Sequence, residues 1–356
     1  MKIAHIYPKY GTNTGDHFVQ LGILKLLRER LGEFDYVPLS NKRDCPDAAE
    51  PVGITRESLP VINGTDLLVI GGSNMYEVGN GRWGVVVEPE ALDALTVPVL
   101  LVGIGSGWSF AFPQFPEMPE PVAGQIRQLH ERARGSSVRD DLTARVLARH
   151  DIGPCTVTGC PAGFLGEEPL RPVGRGIVGI PFLPRRMHAR PSLSPATRRS
   201  TTYRRRRQMT TLFHGLLESL RADGLETRIL VHDAADLPLA KRLLGNGYTY
   251  EKDPSRMLDA IRECDVIVGF RLHAGIAGLG FGIPVIPVLS DGRNAAFAET
   301  FCLLEHSVPL DPASVSLATE RVRMALGPQR RSWRNVVARR DELSRVMRGF
   351  LEKALA

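Results

Sequence analysis

Apolar residues along this chain come in short bursts separated by longer amphipathic stretches. Bursts at Lys2–Tyr7, Asp66–Ile70, Val97–Gly103, Ser136–Val138 and Thr156–Thr158 read as strands of a parallel sheet. Between some of them the period lengthens to that of a helix. His17–Leu31 places Phe18, Leu21, Leu24, Leu27 and Leu31 on one face, and Asp140–His150 does so with Leu142, Val146 and Leu147. Strands alternating with helices predict right-handed βαβ units and an α/β fold.

The second half repeats the rhythm. Strands are expected at Gly176–Ile180, Thr227–His232, Asp265–Gly269 and Pro284–Leu289, and helices at Met209–Ala222, Pro254–Glu263 and Ala274–Gly280. Pro254 suits the first helical position and Asp253 its N-cap. Ala313–Ala325 and Arg334–Leu355 read as closing helices. Gly166–Arg175, rich in Gly, Pro and charge, is the expected boundary. It divides the chain into domains over 1–170 and 171–330, followed by a C-terminal helix over 331–356. A length of 356 residues fits two such domains.

Composition narrows the picture modestly. Hydrophobic content of 43% and charged content of 24% are those of an ordinary globular protein. No apolar run approaches the ~20 residues of a membrane-spanning helix, and MKIAHIYPKY reads as a first strand, so the expected place of action is the cytoplasm. Five cysteines at irregular spacing predict reduced thiols, and His188, His214 and His232 are too scattered to suggest a metal site. The net charge of +6 suits anionic ligands or surfaces. Much of it sits in residues 184–207, PRRMHARPSLSPATRRSTTYRRRR, which hold nine Arg and no acid. This segment reads as a solvated basic loop, as a flap over an anion site, or as a contact with an anionic membrane face. Only Tyr203 is available for stacking, which argues against nucleic acid.

In open α/β sheets ligands lie beyond the carboxyl ends of the strands. The first strand runs into YGTNTGDH, where Asn13, Asp16 and His17 supply more polar function than a single helix cap requires. Asp66–Ile70 leads to Gly71-Gly72-Ser73-Asn74, and the next strand to GIGSGW with Gly105 at its centre. Glycines after a strand let a ligand approach the backbone, and Ser73 and Asn74 can bond hydroxyls. Arg139, after Ser136–Val138, either pairs with Asp140 or Asp141 or projects into the cleft to hold an anion. Asp265–Gly269 ends in Phe270-Arg271-Leu272-His273, followed by a glycine-rich segment able to pack close to the sheet. Arg271 and His273 share a face if the extended conformation persists to His273. Arg beside His suits recognition of an anion with a proton donor at hand. Arg293 and Asn294 follow the next strand at the same edge.

These blocks together resemble the polysaccharide pyruvyl transferase family. The matching pieces are TNTGDHFVQLGILKLL (12–27), LLVIGGSN (67–74), VGIGSG (102–107), SSVRDDLTARVL (136–147), VTGCPA (157–162) and FRLHAGIAGLGFGIPVIPV (270–288), in the family's order. The chain departs from the family at Cys160, where an Asp is expected, and at Arg293, where a Lys is common.

The resemblance implies two Rossmann-like halves facing a cleft, as in GT-B glycosyltransferases, with a C-terminal helix able to cross back to the first half. It implies transfer of the enolpyruvyl unit of phosphoenolpyruvate to two sugar hydroxyls, with phosphate released and no metal or further cofactor. His273 would be the general acid, Arg271 would hold the donor and stabilise departing charge, and Asp16 would activate an acceptor hydroxyl. Arg293, with Arg185 or Arg186, would share the donor, and Arg139 and Asn294 are further substrate-binding candidates. Asn13, Asp16, Ser73 and Asn74 would present a sugar, lipid-linked glycan or small-molecule acceptor, and His17 and Gly105 are further substrate-binding candidates. Three other readings fit the same scaffold: a metal-independent glycosyltransferase using a nucleotide sugar, a small-molecule tailoring transferase, and a glycan-binding module without catalysis.

Overall fold

The computed structural model describes residues 1–41, 50–77, 82–107, 118–182 and 195–356. The first half runs β1 (Lys2–Tyr7), α1 (Thr14–Leu31), β2 (Asp35–Ser40), α2 (Leu59–Asn63), β3 (Leu67–Gly71), β4 (Tyr76–Glu77), β5 (Arg82–Trp83), α3 (Pro89–Asp93), β6 (Val99–Ile104), α4 (Glu120–Arg132), β7 (Ala133–Val138), α5 (Asp141–Ala148) and β8 (Thr156–Val157). A 3₁₀ turn over Pro161–Phe164 leads away from it. The second half runs β9 (Val178–Pro181), α6 (Pro195–Ala222), β10 (Thr227–Val231), α7 (Leu237–Leu244), β11 (Thr249–Tyr250), α8 (Pro254–Arg262), β12 (Val266–Gly269), α9 (Leu272–Gly280), β13 (Val285–Leu289), α10 (Gly292–Thr300), β14 (Val308–Pro309), α11 (Val315–Leu326) and α12 (Arg334–Leu355).

Each half is built on a six-stranded sheet, ordered β2-β1-β3-β6-β7-β8 in the first and β11-β10-β9-β12-β13-β14 in the second. All pairings within both sheets are parallel. The central strands β3, β6 and β12 are buried at every residue, which is why they read as unbroken apolar bursts. In both sheets the strand order reverses direction once, between β1 and β3 and between β9 and β12. Loops leaving neighbouring strands on either side of such a reversal diverge and open a crevice.

The crevices are held face to face by a shared core. One apolar cluster joins Phe18 and Ile23 of α1, Ala162 and Phe164 of the 3₁₀ turn, and Ile276 and Leu279 of α9. The backbones meet closely there. A Cβ at Gly22 would stand 2.2 Å from the Pro161 carbonyl oxygen, and one at Gly280 would stand 2.9 Å from that of Gly163. A second tie joins α5 to α10, where Arg145 donates twice to Glu299 at 2.9 Å and Thr300 donates to Asp141 at 2.9 Å.

The final helix crosses back to the first half. Arg340, fully buried, donates through Nη1 to the carbonyls of Glu168 at 2.7 Å and Leu279 at 2.8 Å. Farther along, Phe350 and Ala354 pack on Gly135 of β7, and Arg348 pairs with Glu29 of α1 at 2.8 Å.

Three expectations change. The basic segment is not a loop throughout, because α6 begins at Pro195 and carries its second part on a helix; residues 183–194, with Arg185 and Arg186, lie outside the described residues. The extended conformation does not reach His273, because α9 starts at Leu272 with Arg271 as its N-cap. The edge strands β2, β11 and β14 escaped the sequence reading, being short or only half-buried.

Candidate active site

The two crevices enclose one cleft of about 440 Å³. Three helices, α1, α9 and α10, begin at its wall. Two of them are capped by side chains: Asn13 accepts from the Gly15 N–H at 3.3 Å, and Asp291 from those of Arg293 at 3.0 Å and Asn294 at 3.1 Å. At α9 the N-cap is Arg271, whose side chain has no acceptor and so cannot cap this helix. Its first-turn N–H groups and its dipole are therefore available to an anion.

Arg271 is aimed by two contacts, an ion pair with buried Asp236 and a bond from Nε to the Phe182 carbonyl at 3.3 Å. Burial pushes its pKa down to about 10, against the pull of Asp233, and it remains a cation at neutral pH. Arg293 pairs with Asp291 through Nε at 2.9 Å. Asp291 raises the pKa of Arg293 against the effect of burial. Asn294 is buried and donates to Ser290 at 3.0 Å, behind the same helix start.

Across from this basic wall stands Asp16, on the first turn of α1. Its Oδ1 accepts from Ser73 at 2.9 Å and its Oδ2 from Asn13 at 3.2 Å. Burial nonetheless raises its pKa above the ordinary carboxylate range. Ser73 holds a left-handed backbone with φ 61, a conformation a non-glycine residue adopts at a cost. That twist sets its hydroxyl on Asp16. His273 lies alongside, its Nδ1 3.8 Å from Asp16 Oδ1 and its Nε2 buried with no hydrogen-bond partner among the described residues. Burial, then the charges of Arg139, Arg293, His232 and Arg271, hold its pKa well below the ordinary value. Gly15 makes this approach possible, since a Cβ there would stand 2.8 Å from His273 Cβ.

Thus Asn13, Asp16, Ser73, Asn74, Arg271, His273, Arg293 and Asn294 all line the cleft. Three other expected residues do not. His17 is one residue beyond Asp16, about 100° farther round the helix, and turns to the Gly11 carbonyl at 3.3 Å and Gln20 at 3.4 Å. Arg139 is 3% exposed and takes the ion-pair alternative, with Nε 2.9 Å from Asp140. Gly105 serves Arg139 rather than a ligand: a Cβ there would stand 2.2 Å from its Nε. The structure adds Tyr10, Ser40, Asn41, His232 and Asp233 to the lining. His232 and Asp233 follow the apolar strand β10, so the strand-end rule that found Arg271 would have found them too.

The sequence pattern of the family described as polysaccharide pyruvyl transferase matches residues 13–292, which hold both walls of this cleft. The chain belongs to the polysaccharide pyruvyl transferase family. It is therefore a transferase, and its family's acceptors are sugars. A search of curated proteins by sequence gives no match.

Solved structures share the fold at very low identity. UDP-GlcNAc 2-epimerase from Methanocaldococcus jannaschii aligns with TM-score 0.53 and 10% identity over 98% of this chain and 99% of that one. UDP-N-acetylglucosamine 2-epimerase from Rickettsia bellii aligns with TM-score 0.54 and 9% identity over 100% and 96%. A glycosyltransferase from Rickettsia africae gives 0.52 and 10% over 99% and 98%. These establish the two-domain, GT-B-like architecture of this pyruvyl transferase family member.

Proposed function

We propose that the chain transfers the enolpyruvyl unit of phosphoenolpyruvate to two hydroxyls of a sugar, forming a cyclic ketal and releasing phosphate. The observation that carries this reading is the uncapped start of α9, which bears His273 in its first turn, is flanked by Arg271 and Arg293, and faces Asp16 across one cleft. A donor with a phosphate and a carboxylate needs several fixed cations and N–H donors, and the basic wall supplies both.

The chemistry follows from the charges. In the empty cleft His273 is neutral, because burial and the surrounding guanidinium groups oppose a further positive charge. An anionic donor on the same wall reverses that balance and favours the imidazolium. His273 then delivers a proton to the methylene carbon of the donor. The adjoining carbon becomes oxocarbenium-like and is attacked by a first sugar hydroxyl, whose proton passes to Asp16. The bond from that carbon to the phosphate oxygen then breaks, the phosphate leaves with the electron pair beside Arg271, and a second hydroxyl closes the ketal. Of the two hydroxyl protons, one replaces the proton spent on carbon and the other leaves with phosphate. Buried Asn74 Oδ1, without a partner among the described residues, suits a hydroxyl of the acceptor. On α6, Arg204, Arg206 and Arg207 are exposed, which supports contact with an anionic surface such as a membrane carrying a lipid-linked acceptor.

The test mixes the full chain with phosphoenolpyruvate and a panel of free and lipid-linked sugars and follows phosphate release. Acceptor-dependent release, with deuterium from solvent appearing in the product methyl group, is the expected result. Tight binding of uridine diphosphate and no phosphate release with any acceptor would sink this reading in favour of sugar transfer.

A further inference from the structure

One group in the cleft has no part in the steps above. His232 follows β10, is 1% exposed, and lines the cleft together with Asp16 and His273. Its position is fixed from the opposite half. The Thr14 N–H donates to the His232 carbonyl at 2.8 Å, and the ring meets Phe18 edge-on with centroids 5.8 Å apart. The Thr14 hydroxyl also faces the Nδ1 edge of the ring. It donates to the His232 carbonyl at 3.2 Å while lying 3.3 Å from Nδ1. A hydroxyl has one proton, so with that proton on the carbonyl it accepts from Nδ1–H. Nε2 then carries a lone pair, and this atom is buried with no hydrogen-bond partner among the described residues. A buried acceptor left open at the floor of a cleft implies a donor that arrives with the ligand.

Ketal formation requires such an acceptor. Two hydroxyls are consumed and two protons come off, and Asp16 takes only the first. Asp233 also lines the cleft, but its Oδ1 already accepts from Thr12 at 2.6 Å and from the Ala235 N–H at 3.0 Å. We infer that His232 Nε2 is the second proton acceptor of the reaction, taking the proton of the hydroxyl that closes the ketal ring. This rests on the pyruvyl-transfer reading. The strength of the base fits the step. Burial, then the charge of Arg271, pushes His232 down to about 3, so it stays neutral and basic only weakly. A weak base suffices here, because a hydroxyl adding to an oxocarbenium centre becomes a strongly acidic oxonium. The C2–O bond forms, the O–H electrons stay on oxygen, and the proton passes through His232 to the departing phosphate.

The experiment uses the full chain with an acceptor on which the wild type is active. His232→Asn keeps an N–H for Thr14 and removes the lone pair, and His232→Gln is a second variant should the first fold poorly. Deuterium exchange into the methylene group of phosphoenolpyruvate reports the first, reversible addition, and ketal mass reports closure. The expected result is exchange within about threefold of wild type, an unchanged KM for phosphoenolpyruvate, and ketal formation lowered roughly 10²–10³-fold. Free pyruvate should appear as water captures the centre instead. Exchange and ketal falling together in a folded variant would show that His232 acts only through structure, and unchanged ketal formation would show that it is idle. Either result overturns the inference and leaves pyruvyl transfer standing. A wild type that catalyses neither exchange nor phosphate release overturns both.

Discussion

Arg271 and His273 are two residues apart, and the cleft gives them different tasks. The guanidinium is fixed by Asp236 and the Phe182 carbonyl and keeps its charge, so its work is binding. The imidazole has an open Nε2 and a depressed pKa, so its charge state answers to what is bound. Arg271→Ala is expected to raise the KM for phosphoenolpyruvate and to leave a folded protein. His273→Ala should cut turnover by roughly 10²–10⁴ with donor affinity little changed. Steady-state kinetics of both variants separate these outcomes. Near-full activity of His273→Ala with a lowered melting temperature would mean the ring only fills space.

At the scale of elements, the site depends on where helices start. Asn13 and Asp291 close the N-termini of α1 and α10 with their own side chains, while α9 opens its first turn to the cleft. Those starts hold their places because α1, the 3₁₀ turn and α9 pack with almost no side chain between their backbones. Gly22 of α1 is the tightest point, with the Pro161 carbonyl where a Cβ would go. Backbone cannot yield as a flexible side chain does. Gly22→Ala is therefore expected to destabilise the protein by about 1–3 kcal/mol. Urea unfolding would read this, and a stability equal to wild type would contradict the packing described. The same change should lower activity by moving α1 away from His273.

Across the whole molecule, burial governs how stability responds to pH. His5 and His130 are pushed down to about 4 and His232 to about 3 by desolvation, and His273 lies well below its ordinary value for the same first reason. The folded chain leaves these imidazoles neutral, while the unfolded chain protonates them below the ordinary value of 6.5. The unfolded state therefore gains protons first, and stability falls as the pH drops from about 6.5 towards 4. Each unit between folded and unfolded pKa is worth about 1.4 kcal/mol, so the loss is on the order of a few kcal/mol for each such histidine. Urea midpoints measured across this range check it, and a flat profile would count against buried neutral histidines. Glu167, brought down to about 2 by Arg348, Ser344 and Lys25 against the effect of burial, acts at lower pH. Its contribution is lost only as the pH falls from its ordinary 4.5 through that value.

Much of this architecture is local in origin and so was legible along the chain. Buried parallel strands must be apolar on both faces, which marks Lys2–Tyr7 without ambiguity, and helix periodicity marks Arg334–Leu355 to the residue. The strand-end rule located eight of the residues that line the cleft, because ligand sites in such sheets follow from topology. Partnership was not legible. Whether Arg139 meets a ligand or Asp140 depends on the space Gly105 leaves for it, and whether His17 faces the cleft depends on the rotation of α1. The convergence of Asp16 and His273, 257 positions apart in sequence and 3.8 Å apart in space, depends on the close approach of α1 to α9 that Gly15 permits. Sequence determined which residues stand at the ends of strands, since that is a property of short segments. Tertiary structure decided which of them share one low-dielectric space, since charge, proton position and reach depend on neighbours that the chain brings from far away.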